Sequence, residues 1–156
     1  LYTQLVKQSP HQVIVLGDGA PWIWQMAQLY FPHCIEVLDF FHVSEYVWAV
    51  ARAAFAQQEA VQKQWVEQQQ RWLKQSQWQS VIHTTTELMK TVAAAGEAGE
   101  ALVRYLTNNQ SRIDYQQYLQ MGLMIGSGVV ESSNRRVVTQ RLKQSGMHWS
   151  EPGAEG

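Results

Sequence analysis

Two hydrophobic rhythms divide the chain. Val13, Ile14, Val15 and Leu16 form a short β-branched run that closes on Gly17-Asp18-Gly19-Ala20-Pro21, the form of a buried parallel strand followed by its turn. Pro21 suits the first turn of a helix. Apolar positions at Trp22, Met26 and Leu29, with Ile23, Ala27 and Tyr30 beside them, carry that helix over residues 21–30, until Pro32 halts it. The strand signal then returns at residues 35–38. The spacing predicts one βαβ unit over residues 13–40, its two parallel strands joined by a right-handed crossover, so that Asp18 and Asp39 leave the same sheet edge.

From residue 44 to residue 122 the period is helical. A long helix is expected over 44–77, a second over 80–95 and shorter ones over 98–106 and 111–120, with Gly96, Gly99 and the pair Asn108-Asn109 as breaks. The Gln-rich stretch at 57–79 keeps Val61, Trp65, Trp72 and Leu73 at spacings that give an apolar face, so it reads as amphipathic helix and not as a disordered tract. After Gly126-Ser127-Gly128 a last helix is expected over 129–143, ended by Gly146. The expected organisation is an α/β part at 1–43, an all-helical insertion at 44–122, a helix returning to the α/β part at 123–150, and a cut-off tail at 151–156. Leu1 also stands in mid-pattern, so the sequence reads as a piece of something longer.

Composition narrows the class. With 156 residues, 46% of them apolar, seven Trp and 16% charged, the chain has enough apolar material for a core and is too poor in like charge for a disordered segment. Its net charge of −1 and pI of about 6.6 exclude a general attraction to polyanions, so any nucleic-acid surface is a local patch. A lone cysteine, Cys34, excludes an internal disulfide, and neither a bilayer-length apolar run nor a signal-peptide layout is present. A cytoplasmic protein without membrane contact is expected.

The candidate chemistry rests on carboxylates. An Asp just past the carboxyl end of a parallel strand, with Gly on both sides, stands where open α/β sheets bind ligands; Asp18 is such a residue, although an Asp there also serves to cap the next helix or shape the turn. Glu131 falls in the first turn of the last expected helix, a place the helix dipole favours for any carboxylate. Asp39 and His42 end the second strand and face the same crevice in this reading. Two such ligands are too few for zinc. Arg135, Arg136, Arg141 and Lys143 give the last helix its only directional charge, which is either an ordinary solvated face or a set of phosphate contacts. No phosphate-cradling glycine loop or serine nucleophile elbow is present.

Three strings in this order, Gly17-Asp18-Gly19-Ala20-Pro21-Trp22-Ile23-Trp24, then Leu38-Asp39-Phe40-Phe41-His42, then Ile125-Gly126-Ser127-Gly128-Val129-Val130-Glu131-Ser132, resemble the DDE transposases of bacterial insertion sequences, most closely the ISKra group. The run Gln140 through Ser150 resembles the same group, as do Asn109, Arg112, Tyr115 and Tyr118. The resemblance implies an RNase H-like α/β fold in which Asp18 and Glu131 are two of three metal-binding catalytic carboxylates, Asp39 and His42 support them, and Arg135, Arg136, Arg141 and Lys143 hold DNA. It implies Mg²⁺ or Mn²⁺ as cofactor, double-stranded DNA as partner, a homo-oligomeric full-length protein, and cleavage and strand transfer at transposon ends. The family's first Asp precedes this stretch, so weak or no activity is expected of the chain alone. Two rivals remain beside it: a non-catalytic interaction or dimerisation module built on Trp65, Trp72 and Trp78, and a metal-dependent phosphohydrolase using Asp18 and Asp39.

Overall fold

The computed structural model describes residues 12–127. Strand β1 (Ile14–Gly17), helix α1 (Pro21–Tyr30) and strand β2 (Ile35–Leu38) come first. Helices α2 (Phe40–Ala54), α3 (Glu59–Lys74), α4 (Trp78–Thr91), α5 (Gly96–Asn108) and α6 (Tyr115–Gln120) follow, with 3₁₀ turns at Ala93–Ala95 and Gln110–Arg112. The described residues up to Gly126 pack as one unit. The described residues are mostly helical, with a two-stranded parallel sheet, and none of their helices is long and apolar enough to cross a membrane.

The sheet is in register from Ile14 opposite Ile35 to Gly17 opposite Leu38, so Asp18 and Asp39 follow paired residues, as the sequence pattern predicts. Gly17 has a packing reason. A Cβ there would stand 3.0 Å from both Ile23 and Trp24, so the missing side chain lets α1 lie close on the strand. The buried positions of α1 are Trp24 and Ala27, while Trp22, Met26, Leu29 and Tyr30 are exposed. The stripe of Trp22, Met26 and Leu29 therefore faces outward. The helix is rolled by the seating of Trp24 against Gly17 and beneath the Arg112 guanidinium, 4.5 Å from its ring.

The helical block starts four residues earlier than the sequence suggests. Asp39 ends β2 in extended conformation and its side chain accepts the Phe41 N–H, so it caps α2 immediately. The single helix expected over 44–77 is two helices. Phe55 closes α2, Gln57 takes the left-handed conformation (φ 63°), and Gln62 Nε2 donates to Phe55 O at 2.7 Å, which turns α3 back against α2. Folding back lets Val43, Val47 and Val50 share a buried cluster with Val66, Leu73, Leu102 and Leu106, which no straight helix of that length could do.

Strand β2 lies under this block, with Val37 and Leu38 fully buried. In a parallel ladder alternate residues point to opposite neighbours. The amides of Ile35 and Asp39 donate to β1, at Val13 O and Gly17 O, so the carbonyls of Glu36 and Leu38 point away from it. Two tyrosines satisfy them. Tyr118 donates its hydroxyl to Glu36 O at 3.3 Å and Tyr115 donates to Leu38 O at 2.9 Å, so α6 closes the edge where a third strand would pair. The Tyr115→Phe variant keeps the shape and orphans the Leu38 carbonyl. Its stability in urea is expected to fall by about 1–3 kcal/mol, with a smaller loss for Tyr118→Phe, whose hydrogen bond is longer.

Candidate functional site at the carboxyl edge of the sheet

The site grows from the two strand ends. Asp18 sits on the turn after β1, where its Oδ1 accepts the Ala20 N–H at 3.0 Å. That bond shapes the turn. It does not cap α1, whose N-cap is Ala20 with no side-chain hydrogen bond. The Asp18 carboxylate is exposed, whereas Asp39 is buried at 9% exposure.

Tyr105, near the end of α5, ties that helix to the turn after β1 and to α2. Its hydroxyl donates to the Asp18 backbone oxygen at 2.7 Å, and its ring stacks on Tyr46 of α2 with centroids 4.4 Å apart. Gly19, at φ +92°, makes room for that ring: a Cβ there would lie 2.9 Å from Tyr105 Cε2. His42 meets Tyr46 and Tyr105 edge-on, and its Nδ1 lies 2.9 Å from Glu45 Oε2. Burial first, then Tyr46 and the carboxylates of Asp18, Asp39 and Glu45, hold the Tyr105 phenol well above the ordinary 10.0. Tyr105 is thus a neutral donor in a field of negative charge.

The segment after α6 reaches the same edge. Ile125 O accepts the Phe40 N–H at 2.8 Å. A side chain on Gly126 would meet the Phe41 ring at 2.5 Å and Asp39 Oδ1 at 3.4 Å, so a glycine is required for the chain to pass this close to Asp39. Three of the residues expected from sequence, Asp18, Asp39 and His42, therefore cluster around Tyr105. Glu131, Arg135, Arg136, Arg141 and Lys143, with the helix expected over 129–143, lie outside the described residues. Sequence reasoning passed over Tyr105 and Glu45. Glu45 is one helical turn from His42, a spacing that pairs side chains and offers a signal; Tyr105 carries none, because only packing brings it back across the chain.

The donor set suits a hard cation. Asp18 and Asp39 offer carboxylate oxygens, the ligand type Mg²⁺ prefers, and His42 is already turned toward Glu45. Among the described residues no three His, Cys, Asp or Glu side chains are grouped to hold a metal by themselves.

A second polar feature adjoins the first. Arg112 Nε binds Glu36 Oε2 at 2.6 Å, each side chain 16% exposed, and the guanidinium covers the Trp24 ring. Together they form one wall of a cleft next to Gly19.

Two outcomes follow from Tyr105 and its glycine. Gly19→Ala forces a side chain into left-handed backbone and against the ring, and is expected to cost about 1–3 kcal/mol in urea unfolding, with Tyr105 displaced from Asp18 O. Raised phenol values at Tyr105, Tyr115 and Tyr118 mean that the unfolded chain loses protons first. Stability is therefore fully present below pH 10.0 and falls as pH rises beyond it. A urea titration across that range is expected to show this, with a shallower fall in Tyr105→Phe.

Comparison with known proteins supplies a family. The model of the uncharacterised protein family UPF0236 matches residues 3–155, so the chain belongs to that family. No curated protein and no solved structure matches it.

Proposed function

We propose that this UPF0236 chain is part of a DDE transposase, with an RNase H-like α/β part interrupted by helices, acting in Mg²⁺- or Mn²⁺-dependent cleavage and strand transfer of DNA. The observation that carries the reading is the exit of Asp18 and Asp39 from in-register ends of two parallel strands, around one tyrosine that touches both α2 and the Asp18 backbone. Open α/β sheets bind ligands at that edge.

In this reading Asp18 and Glu131 hold the metal and are the catalytic carboxylates. The exposed Asp18 carboxylate accepts the Ala20 N–H through one oxygen, and among the described residues its other oxygen would be offered to a cation. Asp39 and His42 are positioning residues: Asp39 fixes the start of α2, and His42 is oriented by Glu45. Gly126 packs beside Asp39. Arg135, Arg136, Arg141 and Lys143 would contact phosphates of double-stranded DNA. Divalent metal, when bound, stabilises charge on the attacking and leaving oxygens of an in-line displacement at phosphorus. The full-length protein is read as a homo-oligomer in the cytoplasm.

The rival built on exposed tryptophans gains no support, since Trp65, Trp72 and Trp78 are each half-buried against the chain's own core. In the full-length protein, Asp18→Asn and Glu131→Gln are each expected to lower strand transfer by at least about a hundredfold while DNA binding, read by gel shift, is retained. Undiminished strand transfer in both variants would sink the proposal. Turnover of small phosphate esters that depends on Asp18 and ignores Glu131 would favour a phosphohydrolase.

A further inference from the structure

The cleft beside Gly19 has a volume of about 570 Å³, within the range of small-ligand sites. Its lining includes Trp24, Tyr105, Asn108, Arg112 and the backbone of Gly19 and Pro21. Three features define what fits. Its one cation, Arg112, is already neutralised by Glu36 at 2.6 Å, and the adjoining helix α1 begins with Pro21, which has no N–H to offer. A phosphate would find no uncompensated cation among the described residues of this lining. Flat surfaces abound instead: the Arg112 guanidinium lies over the Trp24 indole at 4.5 Å, and the Tyr105 ring forms part of the lining. Hydrogen-bonding edges are also on offer. Asn108, exposed at the end of α5, lines the cleft with an amide that both donates and accepts.

A neutral, planar group with donors and acceptors along its rim meets all three conditions, and a nucleobase is such a group. We infer that this cleft takes one unstacked nucleobase of the DNA strand that passes Asp18. The inference rests on the transposase reading for the presence of DNA. Gly19 directly follows Asp18 and Tyr105 is tied to Asp18 O, so the wall of the cleft and the carboxylate belong to one rigid turn. A base held there fixes the register of its strand relative to Asp18. Aromatic and guanidinium planes hold splayed bases in this way in single-strand recognition generally.

The test compares binding of the full-length protein to a single-stranded oligonucleotide and to the same oligonucleotide with abasic sites, where every phosphate is kept. Removal of the bases is expected to weaken binding by about 5- to 100-fold, the worth of one stacked base. Asn108→Phe, an exposed position, plugs the cleft, and in that variant the penalty is expected to drop below about twofold, with thermal unfolding unchanged. Equal binding of the two oligonucleotides by the unmodified protein overturns the base cleft while leaving the transposase reading intact, and needs no variant. An abasic penalty undiminished by Asn108→Phe also overturns it. Failure to bind either single-stranded oligonucleotide overturns the base cleft as well, while the transposase reading is judged separately by the gel shift with double-stranded DNA.

Discussion

The carbonyls on the outer edge of β2 impose the condition that the rest of the fold meets. Glu36 and Leu38 direct them away from β1, into a region where Leu38 is fully buried and no water can serve. A buried carbonyl left without a donor is costly, and a third strand is not among the described residues to supply one. Tyr115 and Tyr118 supply hydroxyls instead, spaced one helical turn apart to match carbonyls two residues apart on a strand. This pairing explains why so short a helix as α6 is placed with such definition.

From that attachment the neighbouring geometry follows. The 3₁₀ turn just before α6 carries Arg112, whose guanidinium is thereby brought to Glu36 and onto Trp24. The segment just after α6 runs past the start of α2, where Ile125 O accepts the Phe40 amide and Gly126 passes the Phe41 ring. On the opposite side of the strand ends, α5 brings Tyr105 to the turn that bears Asp18. The carboxyl edge of two strands is thus enclosed by helices from far along the chain. The Tyr105 phenol at this edge stays protonated, its proton held by burial and then by Tyr46 and the negative charge of Asp18, Asp39 and Glu45.

Much of the α/β part was legible in the chain itself. The β2 limits and the limits of α1 agree with the pattern, and β1 is shifted by one residue, because β-branched runs and prolines act locally. Asp18 and Asp39 were found as candidates by the same local logic, each one step past a strand. The covered face of α1 was left unnamed, since apolar residues stand on several sides of it and only the contact with Gly17 and Arg112 decides which is covered. The break at residues 55–58 was also missed. Phe55, Ala56 and Gln57 have no strong helix-stopping character, and the turn is enforced by the gain from folding two apolar faces together, which is a property of the pair of helices.

The sequence by itself determined the βαβ order, the parallel sense of its strands, the predominance of helix after them, and the two acidic residues at one sheet edge, because these depend on periodicity, chain connectivity and turn chemistry over a few residues. Tertiary structure alone decided that Tyr105 is tied to the turn bearing Asp18, that tyrosine hydroxyls replace a neighbouring strand along β2, and that Arg112 spends its charge on Glu36 while roofing Trp24. Those partners are separated by 76 to 87 positions along the chain, so only the packing of the helices on the sheet brings them together.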